Sequence, residues 1–209
     1  MIRITTILLL AALGQIMSAT AVQAANIQIT YLPYTISAPG TYVLTKNMSY
    51  PSSQGAAITI LKTIPGPVVL DFKGYAITWT GTTGDEAFGV FIGILGPSLV
   101  NTYPITIKNG TINGFLLSIN GEEAPITKLT VENMSCSNAL EAVAVAGISF
   151  SNINNCVFTL TNYEIYDYND AANNTYLNNT FNQVGTPITI GNDGLALYTI
   201  IVPKVTTLP

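Results

Sequence analysis

An all-β fold, coiled so that parallel strands stack layer upon layer as in a parallel β-helix, is what this sequence predicts. Three observations predict it. Four segments repeat one phrase, an alternating apolar strand, a turn built on Asn or Gly, and a second apolar strand: Val69–Ile77, Ile105–Ile112, Leu129–Cys136 and Tyr176–Phe181, with a looser copy over Asn154–Phe158. The phrase returns about every two dozen residues, Ile107 and Val131 lying 24 apart, and strands this short bury their apolar face only by stacking on the next copy. Asn109, Asn133 and Asn179 are expected at equivalent turn positions, because Asn tolerates left-handed backbone angles and can bond its neighbour's turn, building a stack of amides. At roughly 22 to 25 residues per layer the chain makes about seven coils, with open sheet edges at both ends.

In chain order, residues 1–24 read as a signal peptide. Arg3 supplies its positive start, Ile7 to Leu13 its apolar middle and Val22-Gln23-Ala24 its small-residue cleavage site. Residues 25–209 are one β-helix domain of about 185 residues, expected to be secreted, periplasmic or on the cell surface. No later segment reaches a membrane-spanning length, since Ala87 to Val100 is interrupted by Gly89, Gly93, Gly96 and Pro97. Strands are expected at Ile27–Ile29, Tyr34–Ile36, Thr41–Leu44 (opened by the Pro39-Gly40 turn), Ala57–Leu61 and Val68–Phe72. Residues 79–104, rich in Gly, depart from the period and read as an excursion. Strands resume at Ile105, Leu129, Ile148, Val157, Tyr176 and Ile188, and Ala196–Val202 is strand-like. Only Asn138–Ala146 offers a helical turn or two, and Val143 and Val145 oppose it.

Charged residues are 9% of the chain, with 7 Lys and Arg against 11 Asp and Glu, which argues against nucleic acid as a partner. There is no histidine, and Arg3 is the only arginine, so the mature chain has neither imidazole nor guanidinium. Cys136 and Cys156, about one repeat apart, are expected on adjacent layers ~4.8 Å apart. That is within reach of a disulfide, which an oxidising compartment would favour. Metal ligation is not expected of them, with no His or further Cys nearby.

Leu32-Pro33-Tyr34-Thr35-Ile36-Ser37-Ala38-Pro39-Gly40-Thr41-Tyr42-Val43-Leu44-Thr45, followed by Ala57-Ile58-Thr59-Ile60 and Val69–Ile77, resembles the entry segment of secreted right-handed parallel β-helix proteins, the pectin-lyase-like superfamily. The later Asn-Asn turns are similar to its repeats, so the resemblance covers nearly all of residues 25–209. It implies a right-handed solenoid and specifies activity weakly, since the superfamily includes lyases, hydrolases, epimerases and adhesins. Its enzyme signatures are missing. The Asn-Thr-Asp, Asp-Asp, Gly-His-Gly and Arg-Ile-Lys motifs of polygalacturonase-like hydrolases do not occur, and of the Arg or Lys base that pectate lyases use beside calcium-binding acids, the arginine is ruled out. Met48 and Met134, with no His, are poor copper ligands.

Candidate binding residues come from two places. If Tyr163–Asp170 is extended, Glu164, Tyr166, Tyr168 and Asp170 share a face, where phenol rings could stack on sugar C–H faces and carboxylates accept from hydroxyls. Trp79, between two threonines, is a second stacking platform. Asp71 reads as a turn residue, and Asp85-Glu86 and Glu122-Glu123 as loop tips. Thr59, Thr106, Thr130 and Thr189, each between apolar residues, are expected to point outward and could form a ladder. Asn47, Asn109, Asn133, Asn173 and Asn178 begin N-x-Ser/Thr sequons. The reading is a non-catalytic, carbohydrate- or surface-binding protein with no catalytic residues and no metal site, calcium being the one cofactor left open. Its rivals are a polysaccharide lyase or hydrolase using Lys108 or Lys128 as base near Glu132, and a structural or adhesive subunit.

Overall fold

The computed structural model describes residues 25–82, 87–93, 103–121, 126–146, 148–168, 173–182, 186–190 and 199–200. Within them the chain is all-β, and every strand pairing is parallel, an arrangement compatible with a β-helix. The strands fall into three columns. The first runs through β1 (Ile27–Ile29), β3 (Gly40–Leu44), β6 (Val68–Asp71), β9 (Ile105–Asn113), β11 (Leu129–Ser137), β13 (Asn152–Asn154), β16 (Thr175–Leu177) and β19 (Thr199–Ile200). The second, in the same sheet, runs through β4 (Met48–Tyr50), β7 (Ala76–Trp79), the far halves of β9 and β11, β14 (Val157–Thr159) and β17 (Thr180–Asn182). A separate sheet holds β2 (Tyr34–Ile36), β5 (Gly55–Leu61), β8 (Ala87–Gly93), β10 (Leu117–Gly121), β12 (Glu141–Ala146), β15 (Tyr163–Tyr168) and β18 (Thr186–Ile190).

The register explains the repeat. Ile107 pairs with Val131, Val131 with Ile153 and Ile153 with Tyr176, and all four are buried. Each inward side chain therefore rests on its counterpart one layer away. In the second column the inward series is Met48, Ile77, Ile112, Cys136, Phe158 and Phe181, the last two rings stacked at 5.4 Å. Val68 pairs with Ile105, a step of 37 residues, so the expected excursion lengthens one layer, and β8 lies within it.

Left-handed residues make the corners. Lys73, Asn109, Asn133, Asn155 and Asn178 have φ between 53° and 59° where the first column turns into the second. Lys128, Phe150 and Asn173 turn the chain into the first column, and Gly114, Asn138 and Leu160 lead out of the second. The residue after a corner can point inward and close the backbone. Asn179 accepts from Cys156 N–H at 2.9 Å and donates to Ile153 C=O at 2.8 Å. Asn174 likewise accepts from Ser151 N–H and donates to Ile148 C=O, both at 3.0 Å. Both asparagines are buried, which is tolerable because each pairs with backbone groups that would otherwise lack partners.

Two expectations are corrected, and a third segment is settled as strand. Asn178, not Asn179, holds the place equivalent to Asn109 and Asn133; Asn179 is the inward residue that follows it. Glu141–Ala146 forms β12, in line with the opposition of Val143 and Val145 to a helical turn, as Val143 pairs with Ile119 and Ile165 in the sheet. Cys136 and Cys156 are free thiols, not a disulfide. The layer step here is 22 residues, so Cys136 pairs with Phe158, and Cys156 falls two positions short of it. The Cys156 thiol lies 3.3 Å from Asn154 O and 3.7 Å from Val131 O. Burial holds the Cys136 thiol far above its ordinary range and pushes Cys156 up to about 11, so both stay protonated and unreactive at neutral pH.

Candidate functional site

The second column presents a face without charge. Ser49, Thr78, Asn113, Ser137, Thr159 and Asn182 are paired in register from β4 to β17, each next to a buried inward residue. Six polar side chains thus stand in one row, with strand spacing of ~4.8 Å. A neighbouring row holds Ala76, Thr111, Ser135, Val157 and Thr180. Some groups are already tied: Ser137 Oγ donates to Asn113 Oδ1 at 2.9 Å, and Asn138 Nδ2 donates to the same oxygen at 2.7 Å.

The corner asparagines border this face. Asn133 Nδ2 donates to Asn109 Oδ1 at 3.2 Å, and Asn109 Nδ2 donates to Asp71 Oδ1 at 3.1 Å. The stack therefore ends on a carboxylate, which also accepts from Lys73 N–H at 2.9 Å and pairs with Lys73 Nζ at 3.1 Å. Burial alone would raise the Asp71 pKa. The Lys73 amide and ammonium and the Asn109 amide outweigh it, and the carboxyl titrates below its ordinary value. These contacts stabilise the fold above about pH 4, and that contribution is lost as the pH falls through the depressed folded value. Acid unfolding followed by circular dichroism should shift to higher pH in wild type than in Asp71→Asn after normalising for neutral-pH stability. Identical normalised acid midpoints would place the acid sensitivity elsewhere.

Trp79 ends β7 at the far end from the asparagine corner, in register with the buried Tyr50 and so on the inward side of the strand, not on the polar face. Its indole is half-buried against the core, Nε1 donates to Ser52 O at 2.8 Å, and Gly81 lies under the ring so closely that a Cβ there would come within 2.6 Å of Nε1. The edge hydrogen bond and the close Gly81 backbone hold the ring in place.

The other sequence candidates separate. The backbones of Glu164, Tyr166 and Tyr168 lie in β15, Tyr166 in register with Ala144 and Thr189; their side chains, and Asp170 as a whole, lie outside the described residues. Asp85, Glu86, Glu122 and Glu123 also lie outside them. The threonine ladder does not form as expected. Thr106 and Thr130 pair in the first column, but Thr59 and Thr189 are in the other sheet, against Phe91 and Tyr166 respectively. Lys108 is in register with both Asp71 and Glu132, and its ammonium is 4.0 Å from Glu132. The Asp71 carboxylate faces Lys73 and Asn109 instead. Lys128 is four positions before Glu132, roughly 13 Å along the strand, at the opposite end. Among the described residues no group of three or more His, Cys, Asp or Glu could hold a metal, and no helix is long and apolar enough to cross a membrane.

The polar row from Ser49 to Asn182 is the feature that strand-by-strand reading missed. Its signal becomes visible when the sequence is aligned on the turn asparagine: Asn109-Gly-Thr-Ile-Asn113, Asn133-Met-Ser-Cys-Ser137, Asn155-Cys-Val-Phe-Thr159 and Asn178-Asn-Thr-Phe-Asn182. The fourth residue after the corner is always Asn, Ser or Thr. No family model, curated protein or solved structure matches the chain.

Proposed function

We propose that this chain is an exported right-handed parallel β-helix of about seven coils, related to pectin-lyase-like proteins, with residues 1–24 as its signal peptide, and that it binds carbohydrate without catalysis. The single observation carrying the binding reading is the uncharged Ser/Thr/Asn row of the second column, and the half-buried Trp79 ring at the end of β7 is its proposed stacking partner. Hydroxyl and amide side chains both donate and accept, as sugar hydroxyls require, and a partly exposed indole can pack on sugar C–H groups. The engagement of Asp71 by Lys73 and Asn109 supports the non-catalytic choice, because it leaves Lys108 with Glu132 as its only ion-pair partner among the described residues.

The test is a glycan array covering neutral and acidic polysaccharides, run with the purified protein and with Trp79→Ala. Wild type is expected to bind, and the variant to bind about tenfold more weakly, in line with the loss of one stacked ring. A blank array would reject carbohydrate binding. Appearance of reducing ends or of ultraviolet-absorbing unsaturated products would reject the non-catalytic part.

A further inference from the structure

Beside the asparagine corner the face is hollowed into a trough of about 430 Å³, within the range of ligand clefts. Its lining comes from successive strands rather than from one: Asn109, Gly110 and Thr111 from β9, Asn133 and Ser135 from β11, then Asn155 and Val157. Thr111, Ser135 and Val157 are paired in register, so the trough runs across the strands with a repeat of ~4.8 Å. The stacked Asn109 amide uses one N–H and one oxygen lone pair on its neighbours, and it keeps another of each.

We infer that this trough takes an extended, uncharged, β-linked polysaccharide lying across the strands, one sugar unit to each strand. The inference rests on the carbohydrate reading above and adds the ligand's class and direction. A straight row of equally spaced amides and hydroxyls matches a polymer whose hydroxyls recur at a similar spacing along a straight axis. A polymer that coils would leave the row after one or two units. An acidic polysaccharide would bring charge to a trough beside Lys73 and Lys108, whose ammonium groups already face Asp71 and Glu132. The groups lining it are neutral, so nothing there would offset the desolvation of a carboxylate.

The test uses full-length protein and soluble β-1,4-linked glucose and N-acetylglucosamine oligomers of two to six units, measured by calorimetry. The hexamer is expected to bind at least about tenfold more tightly than the dimer, and an α-1,4-linked glucose hexamer about tenfold more weakly than its β-linked counterpart. Ser135 is only partly buried, so Ser135→Asp should fold, checked by its melting curve, and lose about tenfold in hexamer affinity. Equal affinity for dimer and hexamer, or an unaffected Ser135→Asp, would overturn the inference while leaving Trp79-dependent glycan binding standing. Tighter binding of oligogalacturonate than of the neutral hexamers would also overturn it. Absence of binding to any saccharide would remove both readings.

Discussion

Gly110→Ala is expected to cost about 3 kcal/mol and to lower the melting temperature by roughly 6–12 °C. The added methyl would overlap the Phe72 side chain and come within 2.7 Å of Tyr75 O. Phe72 is fully buried, and β9 is held by β6 and β7 on either side of this point. Neither the ring nor the backbone has room to yield, so the strain spreads through two columns at once. Gly74→Ala is the control. Its φ of +85° strains any side chain, yet nothing lies within 4 Å of the added methyl. It should cost about 1 kcal/mol, the backbone penalty alone. Thermal melts of the two variants separate crowding from backbone strain, and a Gly110→Ala that melts no lower than Gly74→Ala would contradict the packing of this corner.

Asn179→Ala should be nearly as damaging, at about 3 kcal/mol. The side chain is 3% exposed and serves the buried Cys156 N–H and Ile153 C=O together. Removing it strands a donor and an acceptor where water has no access, and leaves a void. Its neighbour Asn178 is exposed and contributes chiefly its left-handed conformation, at φ 57°. Asn178→Ala should therefore cost about 1 kcal/mol. Urea unfolding of both variants reads the ordering directly, and the reverse order would mean that the two asparagines have been assigned to the wrong places.

That doublet shows where sequence reading stops. Asn-Asn announces a corner, because one Asn suits left-handed angles, but only the register with Asn155 and Cys156 says which residue turns and which points inward. The cysteines show the same limit. Their spacing of 20 looks like one repeat, yet the local step is 22, and two positions are enough to set a thiol against carbonyl oxygens rather than against its partner. Strands β8, β10 and β12 were hard to see because small or polar residues, Gly89, Ser118 and Ala142 among them, occupy buried positions. The Gly at 89 is imposed by the neighbouring layer: a Cβ there would meet Ser118 O at 2.5 Å and the Ile112 side chain at 2.6 Å. No local pattern encodes such a demand.

Trp79 could be singled out as an aromatic in a polar setting, but its fixation by Ser52 and Gly81 depends on residues 27 positions before it and two after it. The Ser/Thr/Asn face was hidden for a different reason. Its members are separated by about two dozen residues or more and share no strand, so they look like scattered β-formers until the layers are superposed.

By itself the sequence determined that the chain is built from short parallel-stacking strands with left-handed asparagine corners, because alternation and turn chemistry are local properties that each segment carries alone. The tertiary structure decided which residues of successive layers meet. A shift of one or two residues in register changes every lateral neighbour without altering the pattern along any strand. The polar row, the amide stack ending on Asp71 and the separation of the thiols all belong to that second kind of information.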